Sequence, residues 1–73
     1  MKHEMPKWDS QNWYILHYLL AKPITPIEAL EHCGTMRLSE RIRELERMGY
    51  TIRHEWKRLP SGKRVMSYIL EQD

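Results

Sequence analysis

The stretch TMRLSERIRELERMG, residues 35–49, has apolar side chains on one side of a helix and arginines on the other. At about 100° per residue, Ile42, Leu45 and Gly49 fall within roughly 40° of Leu38, which makes a stripe at i, i+4, i+7 and i+11. This spacing predicts an amphipathic helix that buries the stripe in a core. The opposite, polar side carries Met36, Glu40, Arg43 and Arg47.

Such a helix is open to two interpretations. Glu and Arg at i, i+3 and i+4 stabilise many solvent-exposed helices that bind nothing. Alternatively, the polar side contacts a charged partner. The segments on either side of the helix favour the second interpretation.

Positive charge is concentrated in residues 35–64. This segment holds nine of the twelve Lys and Arg residues but four of the ten Asp and Glu residues, although the net charge of the whole chain is +2. The rest of the chain is therefore net negative. A surface of this kind favours a polyanionic partner, although charge asymmetry of this size also occurs on ordinary solvated faces.

Length and composition exclude several classes of protein. A chain of 73 residues with 41% hydrophobic content predicts a single domain. One cysteine, Cys33, excludes an internal disulfide, and the Cys and His spacing lacks the paired pattern of a zinc site, so we expect no metal and no cofactor. Because there is neither an apolar run of about 18 residues nor a signal peptide, we expect a cytoplasmic protein that does not bind membranes.

The N-terminal part predicts a lead-in and a first helix. Residues 1–9 lack periodicity and are expected to form a loose lead-in to a domain over residues 10–73. Ser10 is a suitable N-cap for a helix over Gln11–Ala21, and Pro23 prevents the helix from continuing.

A second, shorter helix follows. Thr25, Pro26 and Glu28 form a capping box with proline in the first turn, which predicts a helix that begins at Pro26. Ile24 can pack onto this helix from just before the cap. Gly34 is expected to end it in a left-handed conformation.

After residue 49 the hydrophobic period changes from 3.6 to 2, which predicts strands over residues 50–59 and 64–70. Pro60, Ser61 and Gly62 supply the turn of a hairpin. The second strand has apolar residues on both faces. We expect its inward face to carry Met66, Tyr68 and Leu70. In the first strand, Ile52, His54 and Trp56 share one face, and Arg53 and Lys57 lie on the outward face.

Three helices followed by a two-stranded β-hairpin define an α+β fold with the element order of a winged helix-turn-helix. The runs ITPIEALEHCGTMRLSERIRELERMGYTI at residues 24–52 and GKRVMSYIL at residues 62–70 resemble the small winged helix-turn-helix domains of bacteriophage and prophage proteins. The resemblance covers residues 15–70. One departure is the spacing from Ala29 to Gly34, which is one residue longer than in classical repressors, so the helix angles of those repressors are not carried over.

The resemblance implies binding of double-stranded DNA, with helix 35–49 in the major groove and the hairpin, called the wing, placing residues 57–64 on the backbone or in the minor groove. A major groove about 12 Å wide admits one helix, whose N-terminal and outer side chains reach base edges. The predicted base contacts are Met36, Arg37, Ser39, Glu40 and Arg43. Phosphate or wing contacts are predicted for Thr25, Thr35, Arg47, Arg58, Lys63 and Arg64.

Several alternatives stay open at this point. Arg41 lies close to the buried stripe and either pairs with a carboxylate or contacts DNA. A protein-interaction module is the competing function, because Glu40, Glu44 and Glu46 dilute the positive charge of the helix. An enzyme is not expected, because the sequence has no Gly-rich phosphate loop and no paired catalytic carboxylates. The sequence does not distinguish a transcription regulator from an excisionase or a host-takeover factor. It also does not determine which DNA sequence is bound or whether the protein forms a homodimer.

Overall fold

A computed structural model describes residues 5–72 and shows, over that range, three helices followed by a two-stranded antiparallel sheet. This arrangement confirms the predicted α+β fold. No helix in this range is long and apolar enough to cross a membrane. The elements are α1 (Gln11–Ala21), α2 (Pro26–Cys33), α3 (Leu38–Arg47), β1 (Ile52–Arg58) and β2 (Arg64–Leu70).

Side-chain caps begin α1 and α2, and a glycine ends α2, as predicted. The Ser10 hydroxyl accepts a hydrogen bond from the Trp13 N–H at the start of α1. The hydroxyl of Thr25 and the carboxylate of Glu28 form a reciprocal capping box at the start of α2. Gly34 ends α2 with a φ of 71°, a left-handed conformation that glycine adopts without steric cost.

The helix predicted over residues 35–49 is shorter in the structure, where α3 begins at Leu38 and ends at Arg47. The Thr35 hydroxyl accepts a hydrogen bond from the Arg37 N–H at 3.0 Å, which holds residues 35–37 in a turn before the helix. At the other end, the chain leaves the helix through Gly49, whose φ is 108°. Leu38, Ile42 and Leu45 of the apolar stripe are buried as predicted, whereas Gly49 lies beyond the helix and is exposed.

A hydrophobic core joins the three helices to the base of the sheet. Ile15, Leu16 and Leu19 of α1 belong to the same buried cluster as the stripe of α3. Burial of this apolar surface is the main favourable contribution to folding. The cluster is completed by Ile24, Ala29, Ile52 and Tyr68.

β1 and β2 form the wing. The register pairs Ile52 with Leu70 at the base and Arg58 with Arg64 at the tip. β1 is shorter than the predicted strand over residues 50–59, because pairing begins at Ile52 and ends at Arg58. The face of β2 that packs on the core is the predicted one, with Met66, Tyr68 and Leu70.

Ile24 extends the sheet by a single bridge that the sequence does not predict. Its N–H donates to the Tyr68 carbonyl at 3.0 Å, and its own carbonyl accepts from the Tyr68 N–H at 2.9 Å. One bridging residue leaves no alternating pattern in the sequence. The bridge attaches the connection between α1 and α2 to the edge of the wing.

Part of the predicted lead-in, residues 1–4, lies outside the described residues. Residues 5–9 form neither helix nor strand. They nevertheless contact the folded body, because Pro6 is buried and the Trp8 ring lies 6.0 Å from the Trp13 ring.

Leu45 has no exposed surface, and its replacement by alanine is expected to lower the free energy of unfolding by about 2 to 5 kcal/mol. This is a large part of the total stability of so small a domain. A thermal or urea melt measures the change. As a control, Met36→Ala at an exposed position should change it by less than about 0.5 kcal/mol. Equal melts for Leu45→Ala and wild type would contradict the burial of this side of α3.

Candidate functional site

The two flanks of α3 are attached to different parts of the fold, and this leaves one side of the helix free. On one flank, the Asn12 amide of α1 donates to the Glu44 carboxylate at 2.9 Å. On the other flank, a Glu46 carboxylate oxygen lies 3.2 Å from Nε2 of His54 on β1. The side between these flanks is exposed and carries Glu40, Arg43 and Arg47.

Further exposed side chains surround the N-terminus of α3. Met36 and Arg37 lie in the turn that precedes the helix, and Ser39 lies in its first turn. The N-cap residue, Arg37, makes no side-chain capping hydrogen bond. The first N–H groups of α3 therefore keep the partial positive charge of an uncapped helix end, which favours an anionic group nearby.

Each carboxylate of α3 contacts basic side chains of the domain. Glu40 lies 3.7 Å from Arg37 and 3.8 Å from Arg41. Glu44 pairs with Arg41 at 3.2 Å, and Glu46 contacts His54.

In contrast, Arg43 and Arg47 have no carboxylate oxygen within 4.0 Å among residues 5–72. Because the acidic residues of α3 are paired, they reduce the positive charge of its free side less than the sequence predicts.

The tip of the wing is also positive. Arg58 lies directly opposite Arg64, and Lys63 precedes Arg64 in the turn. Like charges in opposite positions destabilise a β ladder. Over the described part of the chain, none of the three has a carboxylate oxygen within 4.0 Å, whereas Arg53 in the same hairpin pairs with Glu55 at 2.8 Å. We use the term basic surface for Arg43, Arg47, Arg58, Lys63 and Arg64.

His54 connects the two parts of the basic surface. Its imidazole contacts Glu46 of α3 and meets the Tyr68 ring edge-on, with ring centroids 4.9 Å apart. From this point the strand leads away from α3 by about 3.3 Å per residue. Arg58, four residues farther along β1, therefore lies roughly 13 Å beyond the contact with α3.

Arg41 has the position of a structural residue. Its side chain is 25% exposed and contacts two carboxylates, Glu44 at 3.2 Å and Glu40 at 3.8 Å. Because Glu44 also accepts the hydrogen bond from Asn12, the pair helps to hold α3 against α1. Of the two roles that the sequence allows, the geometry favours pairing with a carboxylate.

Thr25 and Thr35, predicted to contact phosphates, are both buried. The Thr25 hydroxyl accepts from the Glu28 N–H and donates to the Glu28 carboxylate. The Thr35 hydroxyl accepts from the Arg37 N–H. Both hydroxyls are buried and bonded within the chain, so they are not placed to reach a phosphate, which corrects the two predicted contacts. We leave both threonines out of the candidate site.

Trp56 is an exposed residue that the sequence places on a buried face. It alternates with Ile52 and His54, which predicts an inward side chain, and in the structure it is mostly exposed because the strand extends beyond the helices. The guanidinium carbon of Arg64 lies 5.6 Å from the centre of its ring. The sequence contains an indication of this exposure, because Trp56 lies close to the turn at residues 60–62 and the ends of hairpins extend from small domains.

Over the described residues, Cys33 and the possible metal ligands do not form a second candidate site. Burial raises the pKa of the half-buried Cys33 thiol, so that it stays protonated at neutral pH and is a poor nucleophile. Over residues 5–72, no group of three or more His, Cys, Asp or Glu side chains is arranged to hold a metal ion. The exposed basic surface is the candidate functional site of the described residues.

A family model described as a winged helix-turn-helix domain matches residues 10–73 of the chain. No curated protein and no solved structure matches it. The matched range includes α1 to α3 and both strands of the wing.

Replacing Arg41 with alanine is expected to lower the free energy of unfolding by about 1 kcal/mol, because it removes a half-buried ion pair. Arg43→Ala, an exposed change on the same helix without a carboxylate partner, is the matched control and should stay within about 0.5 kcal/mol of wild type. Urea melts of the two variants measure the difference. A loss for Arg41→Ala no larger than for Arg43→Ala would contradict the structural role.

Proposed function

Because the chain belongs to the winged helix-turn-helix domain family, we propose that it binds double-stranded DNA in a sequence-specific manner through its basic surface. In this proposal α3 enters the major groove, and the wing lies on the adjacent backbone or minor groove. The winged helix-turn-helix is typically a DNA-binding and non-enzymatic fold.

The observation that carries the proposal is the distribution of ion pairs. Arginines on the flank of α3 and at the base of the wing, Arg41 and Arg53, contact carboxylates at 3.2 Å and 2.8 Å. The five residues of the basic surface have no such partner within the described range, and two of them, Arg58 and Arg64, oppose each other directly. Phosphates of a duplex would supply the missing negative charge, with release of the counterions that they hold.

The side chains around the start of α3 are proposed to read bases. Arg37 and Arg43 are exposed, and a guanidinium can donate two hydrogen bonds to guanine. The pair between Arg37 and Glu40 is long, at 3.7 Å, and exposed, so it costs little to replace. Met36, Ser39 and Glu40 complete the proposed base contacts, whereas Arg47 is farther along α3 and suits a phosphate.

The biological role is proposed from the sequence resemblance. A transcription regulator or an excisionase-like factor of a phage or prophage, acting in the cytoplasm of a bacterial host, fits a small domain of this kind. Both roles require sequence-specific binding of double-stranded DNA.

A protein-interaction module is the second candidate. It is favoured by Ile27 and Leu30, which lie one turn apart on α2 with about half of each side chain exposed. An exposed apolar pair on one helix face is a feature of surfaces that contact other proteins, including a second copy of the same chain. The binding experiment below distinguishes this function from DNA binding.

The test is a fluorescence titration of random duplex DNA with the wild-type protein at two salt concentrations. The four proposed phosphate contacts of Arg47, Arg58, Lys63 and Arg64 predict that log K falls with log salt with a slope of roughly −3.6. No binding to any duplex at low salt would contradict the proposal and favour the protein-interaction module.

Replacing both Lys63 and Arg64 with alanine should weaken binding to all duplexes alike. The slope of log K against log salt should become shallower by about one to two units, because each lost phosphate contact removes about 0.9 from it. Arg53→Ala is the matched control, since this arginine of the same hairpin pairs with Glu55 and Glu71. An unchanged slope for the double variant would place the wing tip away from the DNA.

Replacing Arg37 or Arg43 with alanine should cost about 1 to 3 kcal/mol of binding free energy on the preferred duplex, obtained by selection from a random pool. The loss on a scrambled duplex should be much smaller, because a bidentate contact to guanine discriminates among bases. Isotherms on both duplexes measure the two losses, and a melt verifies that each variant is folded. Equal losses on both duplexes would reassign these arginines to phosphate contacts.

A further inference from the structure

Trp56 is exposed at a position where a buried side chain is expected. Its side chain is 64% exposed, although Ile52 on the same face of β1 is part of the core. An indole is among the largest apolar groups in proteins, and its contact with water is unfavourable. A partner that covers it would remove this cost.

The register places Trp56 between α3 and the tip of the wing. Along this face of β1, His54 contacts Glu46 of α3, Trp56 follows, and Arg58 comes next. At about 3.3 Å per residue, Trp56 lies roughly 7 Å from either neighbour along the strand. The indole is therefore located between the helix proposed for the major groove and the cations proposed for the backbone or minor groove.

Two residues of β2 lie near the indole. Met66 is directly opposite on β2 and packs against the core. The Arg64 guanidinium lies 5.6 Å from the ring centre, within the range of a cation–π interaction. An apolar ring and a cation thus form one unit on the wing. Deoxyribose and phosphate alternate along a DNA strand in the same way, one part apolar and the next negatively charged.

From this juxtaposition we infer that Trp56 packs against the deoxyribose rings of the DNA strand that separates the major groove from the adjacent minor groove. The inference rests on the DNA binding proposed above and adds a contact that the basic surface does not include. Arg64 neutralises the neighbouring phosphate while the indole covers the sugar. Such a contact adds affinity without reading the sequence, because every nucleotide of DNA carries the same sugar.

The test compares Trp56→Ala with Trp8→Ala by titration against a random duplex at several salt concentrations. Trp8 is a matched control, because it is a similarly exposed tryptophan, at 73%, that lies in the lead-in instead of the wing. Trp56→Ala should weaken binding about tenfold, a loss typical of one large apolar contact. It should leave the salt slope unchanged because no phosphate contact is lost, and Trp8→Ala should bind like wild type.

Two further variants separate the indole from its cation. Arg64→Ala should make the salt slope shallower by about 0.9, the value for one phosphate contact. Trp56→Phe should keep most of the affinity, since it retains an aromatic ring. It should also remove most of the change in tryptophan emission that DNA causes in the wild type, and melts verify that all variants are folded.

The outcomes that would overturn the inference are distinct. Wild-type affinity for Trp56→Ala, with normal binding by the wild type, would overturn this inference alone. A salt slope reduced as much as in Arg64→Ala would show that Trp56 acts only by positioning the arginine, and would also overturn it. Absence of binding by the wild type would overturn the proposed function, and this inference with it.

Discussion

Burial of Leu38, Ile42 and Leu45 against α1 is the constraint on which the other features depend. A helix that buries one stripe must expose the opposite side, so this packing determines that Arg43 and Arg47 point outward. Two contacts on the flanks join Asn12 to Glu44 and Glu46 to His54. They maintain the orientation of α3, which is determined by the packing of the core. Surface pairs of this kind contribute little free energy compared with the burial of the stripe.

The same orientation determines the charge of the candidate site. Carboxylates on the flanks of α3 lie beside α1 and β1, where Arg41 and His54 can reach them. Over residues 5–72, Arg43 and Arg47 on the free side have no carboxylate oxygen within 4.0 Å. A helix with mixed charges thus presents a mainly positive side to its surroundings, and the wing continues that side with Arg58, Lys63 and Arg64.

The sequence by itself determined the order and type of the elements, because these depend on local chemistry. The capping box at Thr25 and the left-handed glycine at Gly34 delimit α2 without help from distant residues. The change from a helical to an alternating pattern predicted the wing, and the stripe predicted the buried side of α3. The side chains predicted on the free side of α3 and on the wing tip are exposed in the structure.

Only the tertiary structure decided which polar side chains are available to contact a partner. Thr25 and Thr35 are polar residues near helix N-termini, yet their hydroxyls are buried and accept from nearby backbone N–H groups, and Arg41 is held by carboxylates. The bridge between Ile24 and Tyr68 joins residues 44 positions apart, so no local pattern contains it. Trp56 is exposed because the core ends before the strand does. Each of these features depends on how far the core extends, which is set by the packing of all the elements together.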